Sequence, residues 1–216
     1  MINTNVVLFA ILGLFGSSQA VQLKTPEIAA AVLPLPENLR NGSAIVRLNS
    51  AGVSESLRSG TNGMVCIADR PGDDSFDVRC YHKDFISVVY RSFQLDSEGV
   101  RGAKLYDRIE AEIKAGTLKL PGQPTAGYRC LGPASGYDAS TNAVSKEIRC
   151  WQSIHFPFRT AHEMGLMDEK EIPDNMRAKM PYVMSSGRFW SHVMIEHQRN
   201  EQNADHLHWR HRNAAV

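Results

Sequence analysis

Four cysteines, Cys66, Cys80, Cys130 and Cys150, limit the architectures open to this 216-residue chain. Cys66 and Cys80 flank a strong turn signal, Asp69-Arg70-Pro71-Gly72-Asp73-Asp74, and Cys130 and Cys150 flank a polar stretch from Gly136 to Asn142. A turn between two extended runs makes a hairpin, where opposed Cβ atoms come within reach of a disulfide. Four cysteines can pair in more than one way. The turn-flanking positions favour Cys66–Cys80 with Cys130–Cys150 over the crossed alternatives. By loop entropy each bridge would contribute about 3 kcal/mol. A four-thiolate zinc site is disfavoured, because no Cys-x-x-Cys unit is present.

Disulfides require an oxidising compartment, and the N-terminus is consistent with one. Val6–Phe15 is an uninterrupted apolar run without charge, followed by Gly16-Ser17-Ser18-Gln19-Ala20. Ser18 and Ala20 stand at the small-residue positions before a signal-peptidase cut, so residues 1–20 read as a signal peptide. The run is shorter than the ~20 apolar residues that span a bilayer. No cysteine follows the cut as a lipid attachment point, and no second apolar run of spanning length occurs. The expectation is a soluble product, periplasmic or secreted, beginning near Val21.

A chain that is 43% apolar and 22% charged can bury a sizeable core. Its net charge of +1 offers no concentrated basic face, so nucleic acid is excluded as a partner. Residues 21–197 read as one domain and 198–216 as a mobile His-rich tail. Thr25-Pro26-Glu27 is an N-cap, N1 proline and acidic first turn opening a short helix. Strands are expected at Ala44–Leu48, Val53–Arg58, Met64–Ala68 and Phe76–Tyr81, forming three or four consecutive antiparallel strands. Phe85, Val88, Val89 and Phe93, and then Leu105, Ile109 and Ile113, recur at helical spacing, with Gly99 and Gly116 as stops. Strands resume at Ala126–Leu131, Glu147–Phe156, Tyr182–Met184 and Phe189–Ile195. The fold class expected is α+β, a mainly antiparallel sheet with a pair of amphipathic helices.

Strong catalytic motifs are absent: there is neither a Gly-x-Ser-x-Gly elbow nor a phosphate-binding Gly-rich loop. His162-Glu163 opens like a zinc-protease helix, but Leu166 stands where the second histidine belongs. His206, His208 and His211, with His197 upstream, read as a solvated tail that gains charge below about pH 6.5. Met184, His192 and Met194, with His155 on another strand, have donor types that suit copper, although methionine at alternate strand positions usually fills core gaps. Asp69, Asp73, Asp74 and Asp77 lack calcium-loop spacing and fit a hairpin turn. Cys66 with His82 would make a nucleophile–base pair only if the thiol were free.

The stretch Thr61–Asp69 with Pro71-Gly72-Asp73-Asp74 and Cys80-Tyr81-His82 resembles a group of exported bacterial proteins to which no activity is assigned. Pro181–Met184 and His192–Ile195 are similar to a later segment of the same group. The resemblance covers about half of the mature chain and implies bacterial export and one shared domain. It carries over no catalytic residue. Two functional expectations follow. The first is an envelope protein binding a small ligand or a partner in a pocket between the sheet and the helix pair. The second is a metal-binding protein or enzyme, with copper or zinc held by His82, His155 and His192 from separate strands.

Overall fold

Thr25 accepts a hydrogen bond from Ile28 N, and Pro26 supplies the fixed φ of a first helical position, so α1 (Pro26–Ala31) starts where the sequence sets it. The computed structural model describes residues 25–196 apart from Pro71. The signal-peptide reading and the His-rich tail, with His197, His206, His208 and His211, lie outside the described residues. After α1 come α2 (Glu37–Arg40), β1 (Ala44–Leu48), β2 (Ser54–Arg58), β3 (Met64–Ile67), β4 (Ser75–His82), α3 (Ile86–Ser97), α4 (Ala103–Lys114) and β5 (Thr125–Pro133). The chain continues through β6 (Tyr137–Asp138), β7 (Ala143–Val144), β8 (Arg149–His155), β9 (Met167–Asp168), β10 (Tyr182–Met184) and β11 (His192–Glu196). The class is α+β, and both amphipathic helices form where the apolar spacing indicates.

Nine strands make one sheet in the order β2-β1-β3-β4-β5-β8-β11-β10-β9, while β6 and β7 form a small separate hairpin. Neighbours are antiparallel except for the pairs β1–β3 and β9–β10. Here the structure differs from a run of consecutive antiparallel strands. β2 folds back on β1 as the edge, and β3 returns along the other side of β1. The return must cross the start of β1 closely. A Cβ on Gly60 would lie 2.2 Å from Ala44 N, so only glycine fits the crossing. The edge position also leaves Val53 exposed rather than half-buried.

The sheet separates two environments. On one face α1 and the residues after it (Ala31, Val32, Leu35) pack on Ile45, Met64, Cys66 and Cys80, with Phe76, Val78, Cys130 and Ile148 continuing the core. On the other face α3 and α4 bury Val88, Val89, Leu95 and Ile109 against Val46, Leu48, Ile67 and Tyr81. The disulfides Cys66–Cys80 and Cys130–Cys150 join residues directly opposite in the β3–β4 and β5–β8 registers. Both belong to the α1-side clusters. Among the described residues no helix is long and apolar enough to cross a membrane.

Candidate functional site

Alternation along β4 assigns Phe76, Val78 and Cys80 to the α1 side and turns Asp77, Arg79 and Tyr81 toward the helix layer. Register then determines what joins them. Arg79 stands opposite Arg129, Tyr81 opposite Gly127, and Gly127 opposite Ser153. Further across, Trp151 pairs with Glu196, His155 with His192, and His192 with Met184. The helices cover β1, β3 and β4 on this face. A second cover, Ile172, Met176 and Met180, packs on Tyr182 and Met194. Between these covers lies a pocket of about 200 Å³ lined by sheet side chains together with Tyr106 of α4, Ser185 and Trp190.

Charge at the pocket is organised around Asp77. Its two carboxylate oxygens accept from both guanidiniums: Arg129 Nε and Nη2 at 2.8 and 2.7 Å, Arg79 Nε at 3.0 Å, and Arg79 Nη2. Burial pushes the Asp77 carboxyl up, but the two arginines outweigh it and hold it below the usual carboxylate range. Burial also pushes the Tyr81 phenol up, against the pull of the same arginines. Arg129 lies 5.3 Å from the Trp151 ring centroid, and Arg79 lies 4.9 Å from that of Phe93. Such stacking fixes the guanidinium planes.

The histidines make a second, uncharged part of the wall. His155 and His192 stack with ring centroids 5.0 Å apart. His155 is 1% exposed and also packs on Phe85 at 4.4 Å and Trp190 at 5.3 Å. Burial, and then the neighbouring His192, lowers its pKa well below the usual histidine value. His155 Nε2 lies 3.2 Å from Ser153 Oγ, while its Nδ1 and the nearby Thr125 Oγ1 are buried without partners. His192 Nδ1 is 2.7 Å from the Trp190 carbonyl, which can only accept, so the proton is on Nδ1 and Nε2 is an acceptor. Burial lowers the His192 pKa as well, partly offset by that hydrogen bond and by Glu169. Below both groups Gly127 has no side chain. A Cβ there would meet Ser153 Oγ at 2.7 Å and His155 Nε2 at 2.9 Å.

α4 fixes the rim. Glu110 accepts from Arg188 Nε at 2.7 Å and Phe189 N at 3.2 Å, and Asp107 accepts from Arg188 Nη2 at 2.8 Å. These bonds hold the turn that presents Trp190, and the Tyr106 hydroxyl meets Ser185 Oγ at 3.1 Å beside it.

Of the three histidines expected to share a metal, the sheet brings together His155 and His192 and separates His82. His82 pairs with Met64 and shares the parity of Cys80, so it lies on the opposite face, half-exposed beside Asp84. The three-histidine site is therefore not formed, and no group of three His, Cys, Asp or Glu suited to a metal occurs among the described residues. Met184 and Met194 do join His155 and His192 at the pocket. Cys66 is bridged and cannot serve as a nucleophile with His82. The aspartates around the first turn have local tasks: Asp69 Oδ1 accepts from Asp77 N, and Asp73 Oδ1 from Ser75 N. The arginine pair was missed in the sequence. Its only signal there is that Asp77 and Arg79 alternate with the apolar residues of a strand also covered on its second face. Comparison of the chain with protein-family models, with curated proteins and with solved structures finds no match in any of the three.

Proposed function

We propose that this is an exported envelope protein that binds a small molecule in the pocket between the sheet and the helix layer. One observation carries the reading: side chains from β4, β5, β8, β10 and β11 converge on a cavity whose wall combines fixed guanidiniums, neutral imidazoles, indoles and thioethers. Concave sites with an apolar lining and a few placed polar groups are where small ligands bind. At about 200 Å³ the cavity falls below the range of about 300–1,000 Å³ typical of drug-sized ligands, which restricts the occupant to a small metabolite. The two disulfides agree with life outside the reducing cytosol.

The test is a ligand-observed NMR screen of small fragments against the wild type and Met184→Trp, whose indole fills the cavity. Fragments that bind the wild type and lose contact with Met184→Trp support the reading. Fragments that bind both alike, or none that bind, contradict it.

A second reading is favoured by one juxtaposition. Met184, His192 and His155 lie directly across three adjacent strands, and Met194 follows His192 on the same face. Thioether and imidazole donors suit monovalent copper. Metal analysis of untagged protein tests it: stoichiometric copper lost in Met194→Leu supports a copper site, and metal-free protein that does not take up added cuprous ion removes it.

A further inference from the structure

The pocket wall contains two arginines and no aspartate or glutamate. Asp77 sits behind the guanidiniums and neutralises one of them; Glu169, outside the lining, accepts from Ser185 N at 3.2 Å, so the net positive charge is local to the Arg79–Arg129 part of the wall. A guanidinium has five N–H donors in a planar fork; Asp77 takes two from each arginine, and the Tyr81 hydroxyl takes a further one from Arg79. Donors therefore remain on both groups, and the planes that carry them are fixed by Asp77, Phe93 and Trp151. The histidines add no charge, because burial keeps both imidazoles neutral. The arginines retain their charge, being protonated at any pH at which the fold survives. A cation with spare, pre-oriented donors in a partly desolvated cavity is complementary to a planar oxyanion.

From this arrangement we infer that the ligand is a small organic carboxylate, its carboxylate on the free edges of Arg79 and Arg129 and its apolar body against Trp190, Met184 and Met194. The inference rests on the small-ligand reading above. Size agrees with it. The cavity equals roughly six or seven water volumes, enough for a carboxylate on one small ring or short chain. A ligand without acceptor oxygens would leave the remaining guanidinium donors unpaired in the cavity, which is costly, and a neutral carbonyl offers one uncharged acceptor where a carboxylate offers two charged ones.

The experiment titrates matched acids and amides, benzoate against benzamide and butyrate against butyramide, into the full-length protein by calorimetry, following the tryptophan signal of the same samples. The acids should bind at least about tenfold more tightly than their amides, the worth of one charge-assisted hydrogen bond. Arg129→Met should abolish that preference, and Arg129→Lys, which keeps charge but loses the fork, should reduce it. Asp77→Asn should act in the opposite direction, tightening the acids several-fold by releasing the guanidinium donors. A merely structural triad would make both Arg129→Met and Asp77→Asn weaker binders, so this divergence is diagnostic. Thermal melts of each variant confirm that folded protein is compared. Equal binding of acids and amides, blocked by Met184→Trp, overturns the carboxylate inference and leaves the small-ligand reading intact. Binding of neither series, or binding indifferent to Met184→Trp, overturns both.

Discussion

The two faces of β4 divide the work of this molecule. Phe76, Val78 and Cys80 point to the α1 side and are essentially inaccessible, while Arg79 and Tyr81 from the same strand line a polar, partly open cavity with Asp77 behind them. The first face holds both disulfides and an apolar core. The second has its own apolar core under α3 and α4 and, beside it, a charge triad, two neutral imidazoles and orphaned polar atoms at His155 and Thr125. Replacing a buried charge cluster by packed apolar side chains is often neutral or stabilising, which makes the triad a candidate for a task other than holding the fold. A sheet stapled on one face can tolerate chemistry on the other.

Substitutions that respect or cross this division should differ in size and in kind. Phe76→Ala, on the stapled face, should cost about 3–5 kcal/mol in urea unfolding; a loss under about 1 kcal/mol would show that this face is not the stability core. Next, the double change Cys130→Ala and Cys150→Ala should cost about 2–4 kcal/mol, read as a lowered urea midpoint. Protein that unfolds unchanged would remove the staple from the account. Gly127→Ala, on the pocket face, should cost about 1–3 kcal/mol, because its Cβ collides with Ser153 and His155. It should also weaken fragment binding, whereas the bridge removal should leave binding by the remaining folded protein intact.

The smallest effect is in pH. His155 and His192 have folded pKa values lowered by burial, so below their unfolded value of about 6.5 the unfolded chain binds more protons than the folded one. Their contribution is complete above that pH and is lost as pH falls through it, at up to about 1.4 kcal/mol per pH unit for each histidine. Urea midpoints measured between about pH 7.5 and 5.5 should show this slope. It should shrink in His155→Phe, and an unchanged slope would mean that His155 is not held neutral.

Much of this was legible in the sequence for local reasons. Leu105, Ile109 and Ile113 with Gly116 define α4, and turn residues between cysteines foretold two hairpins whose registers set Cys66 against Cys80 and Cys130 against Cys150. Strand order was not legible, because nothing local to β2 says that β3 will pass it and pair with β1. That choice rests on a crossing at Gly60, visible only in three dimensions. The pocket was half legible. His155, His192, Met184 and Met194 stand out by residue type, but the sequence offers His82 equally as a partner of His155 and His192, because sheet parity across distant strands is not written in it. In the sequence Arg79 and Arg129 each resemble an ordinary outward polar position; only the register of β4 against β5 makes them a pair around Asp77.

The measurement that bears most directly on this division replaces the whole charge triad with apolar residues of similar bulk, Asp77→Leu with Arg79→Met and Arg129→Met, and follows melting temperature and acid binding together. Substitution of a complete buried charge cluster is often neutral or stabilising. If the triad exists for a ligand, the melting temperature should hold or rise while the preference for acids over amides disappears. If it instead holds the fold, the variant should lose about as much stability as a core truncation, on the order of 10 °C. That loss would contradict the assignment of the triad to recognition rather than to stability.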